Sequence, residues 1–134
     1  MWLTLRQRLL PLDTLYVQIF SDRLVAANIT TGQSATTRRD PQYASPRLLV
    51  GHFTSAEQQL KTTVKPLRHP LRAHEILVHP MEQIEGGLSQ IEDRIFRELG
   101  KSTGACRVGV HTGNILNGQA ISRAIADYQL RPPS

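Results

Sequence analysis

Cysteine is nearly absent. Cys106 alone among 134 residues excludes an internal disulfide framework and a cysteine-based metal site, and suits a reducing cytoplasm. It precedes an apolar run and reads as an inert packed thiol. Aromatic residues are scarce as well, at 5%. The two local basic clusters, Arg38-Arg39 and the Lys65–Arg72 stretch KPLRHPLR, contain none of them. The net charge of +5, from 16 Lys plus Arg against 11 Asp plus Glu, therefore reads first as a solvated basic surface and second as a nucleic-acid face. No apolar run approaches the roughly 18 residues of a transmembrane helix, and no signal-peptide pattern opens the chain, so a soluble or peripheral protein is expected. There is no H-E-x-x-H and no nucleophile-elbow pattern. His69, His74 and His79 recur at five-residue steps, which neither helix nor strand places on one tight face, so no metal and no cofactor is expected.

What is present is a strong helix-to-strand signal. Ser89 and Glu92 form the S-x-x-E pattern of a capping box, in which the serine oxygen takes an orphan N–H and the glutamate reaches back to the cap. Leu88, Ile91, Ile95, Phe96 and Leu99 follow at helical steps, predicting a buried stripe, with Glu92, Asp93, Arg94, Arg97 and Glu98 on the solvent side. Gly104 ends this helix, and Cys106 to Val110 reads as a strand. Upstream, Thr54 and Glu57 predict a second capping box before Ala56, Leu60 and Val64, with Pro66 closing that helix and Ile76 to Val78 as the following strand. LYVQIF (15–20), LVAANI (24–29) and Gln33 to Arg39 read as an antiparallel meander, separated by Ser21-Asp22-Arg23 and by Thr30 to Gly32. Asp40 to Pro46 is a loop leading to Leu48–Val50, and Ile115 to Leu130 carries a terminal helix. The resulting order, β-β-β-α-β-α-β with a mixed sheet and a C-terminal helix, is an α/β arrangement of the ribonuclease-H-like kind. It divides the chain into an amphipathic segment 1–11, one lobe 12–130 and a tail 131–134. A lobe of this length buries about two thirds of its unfolded surface and needs no disulfide.

SQIEDRIFRE (89–98) and GACRV (104–108) resemble the second long helix and following strand of the bacterial rod-shape actin MreB family, where the corresponding run is similar to TQVERRAIRE followed by GAREV. VGHFTSAEQQL (50–60) resembles the family's run before its first long helix, and EILVHP (75–80) the strand between the two helices. The resemblance covers about residues 12 to 125 and is strongest between 50 and 110. It implies one actin-like ATPase subdomain, since a complete actin-like protein places its nucleotide between two domains of comparable size. In such ATPases the first hairpin carries Asp-x-Gly-[Ser/Thr]; aligned here, those positions are Gln18, Phe20 and Ser21. A neutral amide lacks the charge to hold Mg²⁺, and a phenyl ring fills the phosphate approach. The family's Glu-Glu-Pro after the last strand falls on His111, Thr112, Gly113 and Asn114, so the glutamate that positions water is missing too. Gln18 likewise denies the first strand the inward carboxylate of ribonuclease-H-type nucleases. The insertion after the third strand, which makes polymer contacts in the family, is reduced to about eight to ten residues.

These substitutions imply a non-enzymatic, MreB-like interaction module with no catalytic residues, working with a protein partner such as a cell-shape filament. The alternatives are a basic nucleic-acid-binding domain and an ATP-binding protein completed by a partner. MWLTLRQRLLPL puts Trp2, Leu5 and Leu9 on one helical stripe flanked by Arg6 and Arg8, similar to the amphipathic anchor that precedes the first strand in many members of the family. It predicts either weak peripheral contact with the inner face of the membrane or packing on the lobe. The apolar content of LYVQIF and LVAANI predicts a surface left open for a second copy, hence a homodimer.

Overall fold

A computed structural model describes residues 12–38, 53–81 and 86–131. Trp2, Leu5, Arg6, Arg8 and Leu9, the 40–46 loop, 48–50 and the end of the tail lie outside them.

Alternation of apolar residues along Leu15–Ile19 and Leu24–Ala26 gives each strand a face to bury, and β1 (Leu12–Ile19) pairs antiparallel with β2 (Arg23–Asn28). Gly32, at φ 82°, donates its N–H to Asn28 O and turns the chain into β3 (Ser34–Arg38). Helix α1 (Phe53–Val64) and a 3-10 turn at Lys65–Leu67 then lead to β4 (Ala73–Pro80), which lies parallel to β1. Helix α2 (Gln90–Lys101) crosses to β5 (Arg107–Val110), parallel to β4, and α3 (Gln119–Gln129) follows. The sheet order is β3-β2-β1-β4-β5. Among the described residues no helix is long and apolar enough to cross a membrane.

The two faces of the sheet are buried by different helices. Leu15, Val17, Ile19, Ile76, Val78 and Val108 join Leu60 and Val64 of α1 and Phe96 and Leu99 of α2 in the larger core. On the other face Tyr16 and Leu77 meet Ile121 and Ile125 of α3. Two glycines set these distances. A Cβ at Gly100 would lie 2.6 Å from Val108 Cγ1, and one at Gly109 would lie 3.0 Å from the backbone of Ile125, so a side chain at either position would force its neighbours to shift.

The Ser89 capping box is present in full: Glu92 N–H donates to Ser89 Oγ at 3.1 Å, and Ser89 N–H to Glu92 Oε1 at 3.0 Å. Other expectations need correction. Ile91 is 70% exposed and Ile95 only half-buried, because the stripe that meets the sheet is Phe96, Leu99 and Gly100. Thr54 is no cap, since α1 is already helical at Phe53. The terminal helix expected within Ile115–Leu130 occupies Gln119–Gln129. Cys106 is exposed rather than packed. The open apolar hairpin surface is also missing: Leu15, Tyr16, Val17, Ile19, Leu24 and Ala26 are all buried within the chain.

Candidate functional site

Parallel strands β1, β4 and β5 end at one edge of the sheet, and their α3-facing positions carry polar residues between the apolar ones. Thr14 pairs in register with Glu75, and Gln18 with His79; Arg107 lies opposite Glu75 on β5. Two buried networks result.

Glu75 is 2% exposed. Its carboxylate accepts from Thr14 Oγ1 at 2.9 Å, Ser122 Oγ at 3.0 Å and Arg107 Nη2 at 2.5 Å. Three elements besides its own strand supply these donors, which is what a buried carboxylate requires to remain inside. Both hydroxyls give their proton to Glu75, so neither is left as a nucleophile.

Nearer the C-terminal edge, Tyr16 Oη lies 2.6 Å from His79 Nδ1, and His79 Nε2 lies 3.1 Å from Gly113 O. A carbonyl only accepts, so Nε2 carries the hydrogen and Nδ1 takes the tyrosine proton. Leu116 N–H donates to the same tyrosine oxygen at 3.3 Å. Burial, and then the neighbouring His111, whose ring stands edge-on at 4.8 Å, push His79 below the ordinary imidazole range despite the Gly113 hydrogen bond. Burial also raises Tyr16, against the opposing Leu116 hydrogen bond. Both are neutral at neutral pH, and the pair fastens the 111–118 loop to the sheet. His79 is fully buried, so it has no access to a solvent-borne substrate.

The two segments read as altered nucleotide positions do come to the same edge. Gln18 sits at the end of β1, with its amide 3.9 Å from Met81 Sδ. Phe20 N–H closes the hairpin onto Arg23 O at 2.9 Å, and the Arg23 guanidinium lies 3.9 Å over the Phe20 ring; Ser21 is half-buried beside it. Across β4, His111 donates from Nε2 to Asn114 O at 3.2 Å, holding Thr112 and Gly113 in a turn. His79 stands between the two segments.

No protein-family model matches the chain. It is similar to the uncharacterized protein YjaA of Escherichia coli (strain K12), 29% identical over 96 residues that span 66% of this chain and 74% of that protein.

The opposite end of the sheet holds a third polar group. Asp13 accepts from Arg72 Nη2 at 2.6 Å and from Asn28 Nδ2 at 3.1 Å, and Asn28 also donates to Leu67 O at 2.9 Å. Burial alone would raise the Asp13 carboxyl, but hydrogen bonds from Arg72 and Asn28 and the Arg72 charge hold it below its usual range. Arg68 donates to Thr103 O at 2.6 Å. Both arginines of KPLRHPLR thus bind other parts of the chain, which weakens that cluster as a nucleic-acid face. His74 and His79 point to opposite sides of β4, and no group of three metal-ligating side chains occurs among the described residues.

The Glu75 and His79 networks escape sequence reasoning because each hydrogen-bond partner is 32 or more residues away and no short motif links them. A signal was available in β4, where the unbroken run Ile76-Leu77-Val78 puts apolar residues on both faces. Such a run marks a parallel strand buried on both sides, with Glu75 and His79 beside it in the interior.

Proposed function

We propose that the chain is a non-catalytic interaction module with a ribonuclease-H-like lobe of the kind found in MreB and other actin-like proteins, acting through a protein partner in cell-shape or membrane-associated assemblies at the cytoplasmic face. Its support in fold is the element order β-β-β-α-β-α-β-α with three parallel strands beside an antiparallel meander. The observation that carries the functional part is the composition of the C-terminal edge. Nucleotide hydrolysis there calls for a carboxylate to hold the metal and open backbone to receive phosphate. The described positions instead present the Gln18 amide, the Phe20 ring capped by Arg23, and His79 held between Tyr16 and Gly113. Partly exposed apolar residues also lie on the helical side, where Ile95 of α2 and Phe53 of α1 line the groove between those helices, a surface suited to a protein rather than to a nucleotide.

The test has two arms. Titration with Mg-ATP should leave the amide shifts of 18–21 and 111–114 unmoved, and co-sedimentation with purified MreB filaments should carry the chain into the pellet in proportion to filament. ATP binding at those two segments, or no enrichment with filaments, defeats the proposal.

A further inference from the structure

A concave pocket of about 320 Å³ lies along the outer edge of β5, between the C-terminal ends of α2 and α3. Four cations reach it from three elements: Arg97 and Lys101 from α2, Arg107 from β5 and Arg131 just past α3. No carboxylate is among its described lining residues. The acids lie behind, where Glu75 holds Arg107 and Asp93 holds Arg131 at 3.5 Å, while the exposed Glu98 lies 3.7 Å from Lys101. Asp93 also accepts from Tyr128 Oη at 2.7 Å, so its charge is well compensated before any ligand arrives. Arg97 differs. It has no ion pair among the described residues, and its Nε is buried without a hydrogen-bond partner. A charged donor in that condition is costly to leave unmet, and an anion that draws the Arg97 guanidinium outward into the pocket would supply the acceptor.

The shape of the site narrows the ligand. An added β-strand is disfavoured, because Gln129 Nε2 already donates to Val108 O at 2.6 Å and to Ile125 O at 2.9 Å, covering the β5 edge. The volume is at the small end of the range for organic-ligand sites and several times that of a bare oxyanion. Ala105, Val108 and the Tyr128 ring give it an apolar wall beside the cations. Guanidinium forks match phosphoryl oxygens two at a time, and several converging cations favour a dianion over a single carboxylate. We propose that this pocket binds a phosphate monoester of nucleotide or sugar-phosphate size, with Arg97, Lys101 and Arg131 on the phosphoryl group and the organic body against Tyr128 and Val108. The site lies on the β5 edge, apart from the hairpin and 111–114 segments of the altered nucleotide edge, and it does not depend on the partner proposed above.

The full chain is titrated with adenosine 5′-monophosphate, ribose 5-phosphate and inorganic phosphate, followed by amide chemical shifts. Saturable binding of at least one ester, with shifts centred on 97–108 and 128–131, is the expected result. Arg97→Ala should weaken it about ten- to hundredfold, the usual worth of a hydrogen bond to a charged group, while Lys65→Ala leaves it unchanged. Arg107 is kept intact because its loss would strand the buried Glu75. Arg131→Ala, at an exposed position, gives a second reading if Arg97→Ala does not fold. No saturation at millimolar ester, or unchanged affinity in the folded variants, overturns the proposal. Equal affinity for inorganic phosphate reduces the pocket to an adventitious ion site. Tighter, steeply salt-dependent binding of a single-stranded oligonucleotide would assign it to nucleic acid instead.

Discussion

Acidifying the solution from pH 7 to pH 5 should weaken this fold through His74. The ring is 3% exposed, and its Nε2 lies 3.0 Å from Thr103 Oγ1. The Thr103 hydroxyl donates to Gly100 O at 2.7 Å, which leaves its oxygen to accept the His74 N–H. Burial, and after it the positive charge of Arg68, push the imidazole down to about 4, with Asp13 opposing. The unfolded chain keeps the ordinary value near 6.5. Between these values the unfolded state takes up a proton that the folded state refuses, so stability is complete above pH 6.5 and falls as pH drops toward 4. At about 1.4 kcal/mol per pH unit, the loss reaches about 2 kcal/mol by pH 5 and levels off once the folded ring also protonates. Asp13, with a lowered carboxyl, contributes stability that is lost only below about pH 4, outside this window. Urea denaturation of the native chain and of His74→Gln at pH 7, 6 and 5 isolates the effect. Glutamine can still donate to Thr103 but does not titrate. The stability difference between the two proteins should shift by about 2 kcal/mol toward the variant on acidification. A constant difference across the series refutes the assignment of His74 as a buried neutral base.

Phe96→Ala should cost about 3 to 5 kcal/mol in chemical denaturation, since the ring is 1% exposed in the larger core; an unchanged midpoint would show that the core does not depend on it. Gly100→Ala should destabilise by roughly 1 to 2 kcal/mol despite the better helix propensity of alanine, because the new methyl meets Val108 Cγ1 at 2.6 Å, and a stabilised variant would mean that α2 can move off the sheet freely. Liposome flotation should be lost on deleting residues 1–11, and equal flotation of the two forms would remove the Trp2, Leu5, Leu9 stripe from membrane binding.

The order of elements was legible because its signals are local. Ser89 and Glu92 sit three residues apart, and the alternation in 15–19 marks a strand without knowledge of its neighbours. What was illegible depends on distant partners. Ile76–Val78 was the visible part of β4, whereas His74, Glu75 and His79 look like strand-ending polar residues until Thr103, Thr14 and Tyr16 arrive to satisfy them. KPLRHPLR looks like a solvated basic run, yet Asp13 lies 59 residues from Arg72. The cations of the β5 pocket are spread over residues 97 to 131 and gather only because α2 and α3 end where β5 begins. Ile91 obeys the helical period but falls at the margin of a stripe narrower than the apolar pattern.

The central place of β1 in the sheet has a consequence for how the chain is made. Its antiparallel neighbour β2 follows within a few residues, but its parallel neighbour β4 lies 61 residues downstream, Ile19 standing opposite Pro80. During synthesis at about 5 to 20 residues per second, the completed β1–β3 meander therefore waits on the order of 2 to 8 seconds with one long edge unpaired and Leu15, Val17 and Ile19 uncovered. Long unpaired apolar edges recruit other strands. Closing so distant a pair also places this domain among slow folders rather than with helical bundles. A nascent chain in that interval is the species most prone to aggregate, and holding factors in the cell should act on it before β4 emerges.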